Sequence, residues 1–247
     1  MKIIVNADDF GINKPCTDAI VKCFSLGLLS QTTTMVNMPY YESSVEVAKA
    51  NGFYGRVGLH FNLTEGIPLT KEMRECSFFC SEDGSFSGDF HRLLKTRLVI
   101  SRHSAEALKK EALAQFERYL DSGYTMMHLD SHHHVHTDFS VAKVLLPLAR
   151  QYGFKTVRIS RTISKEKISV LKRVYKAVYN AYVCYSLKPL SNEFTDFEDF
   201  MAFYNCVPRN STVEIMVHPG QGSDPSNDDQ SRFWRAVNKY GIEVCHD

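Results

Sequence analysis

The sequence predicts an α/β fold in which a parallel sheet carries functional groups at its strand ends, and three observations lead there. Strand-like and helix-like patterns alternate along the 247 residues, the order that builds successive β-loop-α units. The opening run Lys2-Ile-Ile-Val-Asn-Ala is almost continuously apolar, as expected of a strand covered on both faces. Residues unusual for a strand end stand at four places: Asp8-Asp9, His60, the stretch 130–136 and His218. Parallel strands bring such ends to one rim, in a doubly wound sheet or in a closed barrel. Periodicity leaves both architectures open. No linker, repeat or low-complexity tract interrupts the chain, so residues 1–247 read as a single domain.

The elements follow in order. After the strand at 2–7, Pro15 opens a helix with Ala19, Ile20, Cys23 and Phe24 on one side and Gly27 at its end. A Thr-rich strand at 31–36, a turn at Pro39, a helix at 42–50 and a strand at 56–62 continue the alternation. Residues 63–90 are rich in Gly, Pro, Ser and charge, which suggests an excursion over a site or an insertion, with Phe78, Phe79 and Phe86 read as packing the loop ahead of the alternative that they stack on a ring of the substrate. Two helical segments follow, the second carrying Ala107, Leu108, Ala112, Leu113, Phe116 and Leu120 at helical spacing. Tyr124-Thr-Met-Met then begins the histidine strand. Beyond it come a helix at 141–151, a strand at 155–159 and a helix at 165–185 with the apolar stripe Leu171, Val174, Val178 and Tyr182 beside a solvated basic face. A strand at 212–217, a helix at 229–240 and a strand at 242–245 complete the reading.

The stretch His128-Leu-Asp-Ser-His-His-His-Val-His136 reads as a metal site, since five imidazoles and a carboxylate exceed what a core or a solvated face needs. If the strand continues through it, Asp130, His132, His134 and His136 share one face. Such donors suit zinc, manganese, iron, cobalt or nickel. The competing reading is a surface cluster, and the apolar strand before it argues against that.

With 29 basic and 28 acidic residues the chain has no global field for nucleic acid or an anionic membrane, and a neutral substrate fits better. Seven cysteines without a Cys-x-x-Cys pair argue against a disulfide framework. No signal segment and no membrane-spanning run is evident, so a cytoplasmic location is expected.

Four blocks together resemble the YdjC/ChbG-like carbohydrate deacetylase family: Asn6-Ala-Asp-Asp-Phe-Gly11, Gly58-Leu-His-Phe-Asn-Leu-Thr-Glu-Gly66, the histidine stretch, and His218-Pro-Gly220. The resemblance implies a deformed (β/α) barrel, TIM-like with fewer than eight regular units, related to polysaccharide deacetylases, and a homodimer. It assigns Asp9, His60 and His132 to one divalent ion, Mg2+ or Zn2+ with Mn2+ or Co2+ as alternatives. Asp8 becomes the base and His218 the acid, while Asp130, His134 and His136 stand behind the ligands or against the substrate. The implied activity is metal-dependent release of acetate from small N-acetylated amino sugars such as chito-oligosaccharides. Two other readings stay open. Arginines converging on the site would favour a phosphoester or another amide as substrate, and an Asp8 or His218 remote from the ion would favour a silent metal- or sugar-binding protein. No Gly-x-Ser-x-Gly elbow supports an acyl-enzyme route.

Overall fold

The computed structural model describes residues 1–92 and 94–221, so the helix expected at 229–240 and the strand at 242–245 lie outside the described residues. Eight strands form one sheet: β1 (Lys2–Phe10), β2 (Gln31–Thr34), β3 (Val57–Phe61), β4 (His128–Ser131), β5 (Thr156–Val157), β6 (Lys188–Pro189), β7 (Glu193–Asp196) and β8 (Thr212–Val217). All neighbours are parallel, in the order β6-β5-β4-β3-β2-β1-β8-β7. Read around a circle, this is the order of an eight-stranded (β/α) barrel without the β6–β7 ladder. The sheet curls into a half-barrel with a seam.

Near the seam the chain beyond β5 leans on β7, with Thr162 N donating to Phe194 O at 3.0 Å and Phe194 N to Thr162 Oγ1 at 3.0 Å. The connecting helices are α1 (Lys14–Ser25), α2 (Tyr41–Ala50), α3 (Lys71–Arg74), α4 (Leu94–Leu98), α5 (Arg102–Asp121), α6 (Phe139–Gln151), α7 (Val170–Ser186) and α8 (Phe197–Phe203). Only residues 190–192 join β6 to β7, so that step has no helix and the regular units fall short of eight.

Strand alternation sorts the two faces of the barrel. Ile3, Val5, Ala7, Leu59, Leu129, Val157, Val213 and Ile215 belong to the buried apolar core. The alternate positions Asn6, Asp8, Thr33, His60, His128, Asp130, Arg158 and Glu214 are equally buried, and all but His128, which pairs with Thr156 Oγ1, bond to one another inside the barrel. Burying polar groups is costly unless they are paired, and most of this interior is a paired network. Gly58 lets it close, because a Cβ there would stand 3.1 Å from His128 O and from Thr33 Cγ2.

Several boundaries differ from the sequence reading, each for a local reason. β1 does not stop at its first carboxylates but runs on to Phe10, with its register shifting between Ala7 and Phe10. β4 pairs only from His128 to Ser131, so Tyr124-Thr-Met-Met lies outside the ladder. β6, β7 and α8 carried too little periodicity to be read. The phenylalanines of the excursion do pack it, Phe79 and Phe90 having ring centroids 4.8 Å apart. In α7 the stripe expected to face the core faces outward, Leu171, Val174 and Val178 being 72%, 54% and 57% exposed. Tyr175, Tyr179 and Val183 turn inward instead, because the Tyr175 and Tyr179 hydroxyls reach the carbonyls of Thr137 and His136 at 2.8 and 2.9 Å. Among the described residues no helix is long and apolar enough to cross a membrane.

Candidate active site

Two adjacent residues of a flat strand point to opposite faces, yet Asp8 and Asp9 both reach His60. The irregularity in β1 explains this: Asp9 takes a left-handed φ of 66°, a conformation short polar residues tolerate better than most. Asp9 Oδ1 then meets His60 Nε2 at 3.1 Å and His132 Nδ1 at 2.8 Å, while its Oδ2 accepts from Gln221 Nε2 at 2.8 Å. The loop bearing Gln221 and His218 closes onto α1 at Gly220, whose φ is +84° and where a Cβ would stand 2.8 Å from Cys16 Cα.

The histidine stretch does not continue as a strand. His133 and His134 have φ of 51° and 56°, so the chain coils into a tight turn after Ser131 and the period-two alignment of Asp130, His132, His134 and His136 is lost. His132 alone reaches Asp9. Asp130 lies beneath His60, accepting from its Nδ1 at 2.6 Å. His136 is buried, paired with Ser131 Oγ at 2.5 Å and with Arg158 O at 3.1 Å, so it fastens the turn from within. The ring of His134 packs edge-on to Phe194 at 5.5 Å, and His133 meets Thr64 Oγ1 at 3.0 Å.

Charge organises what lies below. Arg158 is wholly buried and donates from Nη1 to Asp8 Oδ2 at 2.7 Å, from Nη2 to Asp8 Oδ1 at 2.7 Å and Asp130 Oδ2 at 2.8 Å, and from Nε to Glu214 Oε1 at 2.6 Å. Burial alone would raise the Asp8 carboxyl, but Arg158 outweighs it and holds Asp8 far below the usual carboxylate range. Asp9 is likewise held down against burial, by its bonds from His132 and His60. Burial would lower His60, yet Asp130, Asp9 and Asp8 raise it to about 10. His132 is raised the same way by Asp9 and Glu65.

Among the described residues, three groupings of imidazole and carboxylate have ligand atoms within 4.8 Å of one another: Asp9–His60–His132, Asp8–His60–Asp130 and His128–Asp130–Glu214. The guanidinium of Arg158 sits against both carboxylates of the second and third, and a cation there would face a fixed positive charge. Asp9–His60–His132 has no such neighbour. Its donor set of one carboxylate and two imidazoles suits a borderline divalent ion with open positions. Each histidine is also backed through its other nitrogen by a carboxylate, Asp130 behind His60 and Glu65 Oε2 at 3.0 Å from His132 Nε2, the support that metal-bound histidines characteristically have. The residues fit the group.

Asp8 and His218 lie beside this grouping, His218 Nε2 standing 3.9 Å from Asp8 Oδ2 with its side chain about a third exposed. Sequence reasoning missed Glu65, Gln221, Arg158 and Glu214 as individual members. For Arg158 and Glu214 a signal existed, since each is a lone charge inside an apolar strand segment, Val157-Arg-Ile and Val213-Glu-Ile. Glu65 is placed by a turn in which Asn62 Oδ1 accepts from the backbone of Thr64 and Glu65 at 3.0 and 3.2 Å, a geometry that spacing does not announce.

A carbohydrate deacetylase of Clostridium beijerinckii is 32% identical over 223 residues, covering 89% of this chain and 82% of the relative. One of Halalkalibacterium halodurans is 31% identical, covering 89% and 85%. One of Vibrio cholerae is 38% identical over 154 residues, and that match spans 56% of the relative's length. A crystal structure from Enterococcus faecalis V583, whose description proposes cellobiose-phosphate cleavage, superposes with a TM-score of 0.75 at 22% identity over 99% of this chain and 96% of its own, a likeness of fold. The profile of YdjC-like proteins matches residues 2–240, and the chain belongs to that family.

Proposed function

We propose that the protein is a metal-dependent carbohydrate deacetylase that removes N-acetyl groups from small acetylated amino sugars such as chito-oligosaccharides. The observation that carries this reading is the Asp9–His60–His132 grouping with Asp8 and His218 at its edge, and relatives named carbohydrate deacetylase support it. Asp9, His60 and His132 would hold one divalent ion, Mg2+ or Zn2+ before Mn2+ or Co2+. A carboxylate as weakly basic as the Arg158-bound Asp8 needs an acidified water and a polarised amide carbonyl, which a bound divalent ion supplies. Asp8, ionised throughout the working range, accepts the water's proton. His218, at the more exposed lip, gives a proton to the departing amine. Asp130 and Glu65 fix the ring orientations of His60 and His132.

The phosphoester reading loses its main support. Arg158 reaches the site, but it is wholly buried and engaged with three carboxylates. Arg161 pairs with Asp196 at 2.7 Å. The binding-protein reading required a remote Asp8 or His218, and both stand close. The assay compares acetate and phosphate release from N-acetylglucosamine oligosaccharides and sugar phosphates after chelation and after restoring single metals. Acetate alone, lost on chelation and regained with a divalent ion, is expected; phosphate without acetate would reverse the conclusion.

The homodimer implied by the family resemblance is supported by the outward stripe of α7, since exposed apolar surface favours association and a two-fold axis makes one helix face self-complementary. Replacing Leu171 and Val178 together by Glu is expected to give a folded monomer in sedimentation velocity. A wild-type chain that is already monomeric at micromolar concentration would remove this part of the proposal.

A further inference from the structure

The barrel interior contains a buried acid and imidazole that the chemistry above does not use. Glu214 of β8 and His128 of β4 are both buried, 0% and 1% exposed. Glu214 Oε1 accepts from Arg158 at 2.6 Å, and His128 Nδ1 pairs with Thr156 Oγ1 at 3.0 Å. Their other atoms, Glu214 Oε2 and His128 Nε2, are buried with no partner among the described residues. The two side chains belong to one grouping whose ligand atoms lie within 4.8 Å. Leaving two such atoms unpaired in a buried interior is costly.

The charges around them indicate what is missing. One guanidinium faces three carboxylates; Asp8 holds it through both oxygens and Asp130 has His60 as a second partner, so Glu214, bonded through one oxygen only, is the carboxylate whose negative charge is least compensated in the low-dielectric interior. A divalent ion on the pair would be pressed against Arg158, whereas a proton neutralises the same charge without that repulsion. We propose that Glu214 is held as a neutral carboxylic acid, and that it acts through Arg158 as a positioning residue for Asp8. With Glu214 neutral, the charge of Arg158 is divided between Asp8 and Asp130. Ionising Glu214 adds a third anion to the same guanidinium and loosens its hold on Asp8.

The groups facing Glu214 are Asp8 from β1, His128 and Asp130 from β4, and Arg158 beyond β5, while β7 pairs Phe194 with it. Burial pushes the Glu214 carboxyl up to about 7 despite Arg158, and burial brings His128 down to about 4, so the imidazole is a neutral acceptor. The sign of the linkage follows. The folded state holds this proton more tightly than the unfolded state, so the stability it contributes is fully present at low pH and is lost as pH rises from the ordinary glutamate value of 4.5 through about 7.

Glu214→Gln keeps the shape of the neutral acid, its amide oxygen accepting from Arg158 as Glu214 Oε1 does. Infrared spectra of the whole metal-loaded chain at about pH 6 should show a protonated carboxyl band that fades above about pH 8 and is missing from Glu214→Gln. The variant should keep its metal content, lose the wild type's decline in stability between about pH 5 and 8, and keep its rate at pH 6 within about threefold. Absence of the band in the wild type, or its persistence in Glu214→Gln, would overturn the proposal in favour of an ionised Glu214 held by Arg158 alone. A Glu214→Gln variant as inactive at pH 6 as Glu214→Ala would overturn the positioning role. The rate measurement rests on the deacetylase reading; the infrared and stability measurements use no substrate and stand if that reading fails.

Discussion

Replacing Arg158 by Met is expected to be the most damaging single substitution in the chain. The side chain is among the largest that are wholly buried and binds Asp8, Asp130 and Glu214. Removing one partner of a buried ion pair typically costs about 3–5 kcal/mol, because the other charge is left uncompensated. Here three carboxylates lose the same cation, against a total stability of about 5–15 kcal/mol for a typical domain. Urea denaturation of any folded fraction should show that loss, and the contribution of Asp8 to its pH dependence should reverse sign. In the wild type the depressed carboxyl of Asp8 contributes stability above its unfolded value near 3.8 that is lost on further acidification. In the Met variant the stranded carboxylates favour protonation, so stability should rise as pH falls from neutrality toward 4. A variant of wild-type stability with the wild-type acid profile would show that the cluster contributes little.

The second large effect is expected at the proposed ion. Asp9→Asn, His60→Ala and His132→Ala should each lower bound metal by elemental analysis and reduce acetate release by at least about 10²-fold, since each removes a ligand. Asp130→Asn and Glu65→Gln, which remove only the carboxylate behind a histidine, should weaken metal binding by about 10–100-fold. Asp8→Asn should retain the metal and lose most turnover, because the amide keeps the shape and cannot accept the proton. His60 is held at about 10 and His132 is also raised, so at neutral pH the ion must displace the proton of His60 and whatever proton His132 holds. Affinity should therefore increase with pH, with roughly one to two protons released per ion in calorimetry across buffers of different ionisation heat. Full metal occupancy in His60→Ala and His132→Ala would take both residues out of the ligand set.

Much of this arrangement was legible in the residues because chemistry sits at strand ends. Asp8-Asp9, His60 and His132 stand at the ends of β1, β3 and β4, and the alternation of strands and helices brings those ends together. What was not legible depends on backbone detail or on contacts across the barrel. The left-handed φ of Asp9 turns two neighbouring aspartates toward one imidazole, and those of His133 and His134 break the alignment that period two implied. The partners of Arg158 come from β1, β4 and β8, up to 150 residues away. The stripe of α7 was visible, but its direction was set by two tyrosine hydroxyls that found carbonyls in the histidine turn.

The seam between β6 and β7 gives the buried arginine a second meaning. A closed barrel behaves as a hoop, in which a push on any strand is resisted from both directions around the ring. An open one resists from one direction only, and its two ends are free to spread. Arg158 follows β5, near one end, and its ionic contacts reach β1 and β8, near the other. It acts as a spoke across the opening, so the bonds that orient Asp8 also restore the hoop stiffness that the missing ladder would have provided.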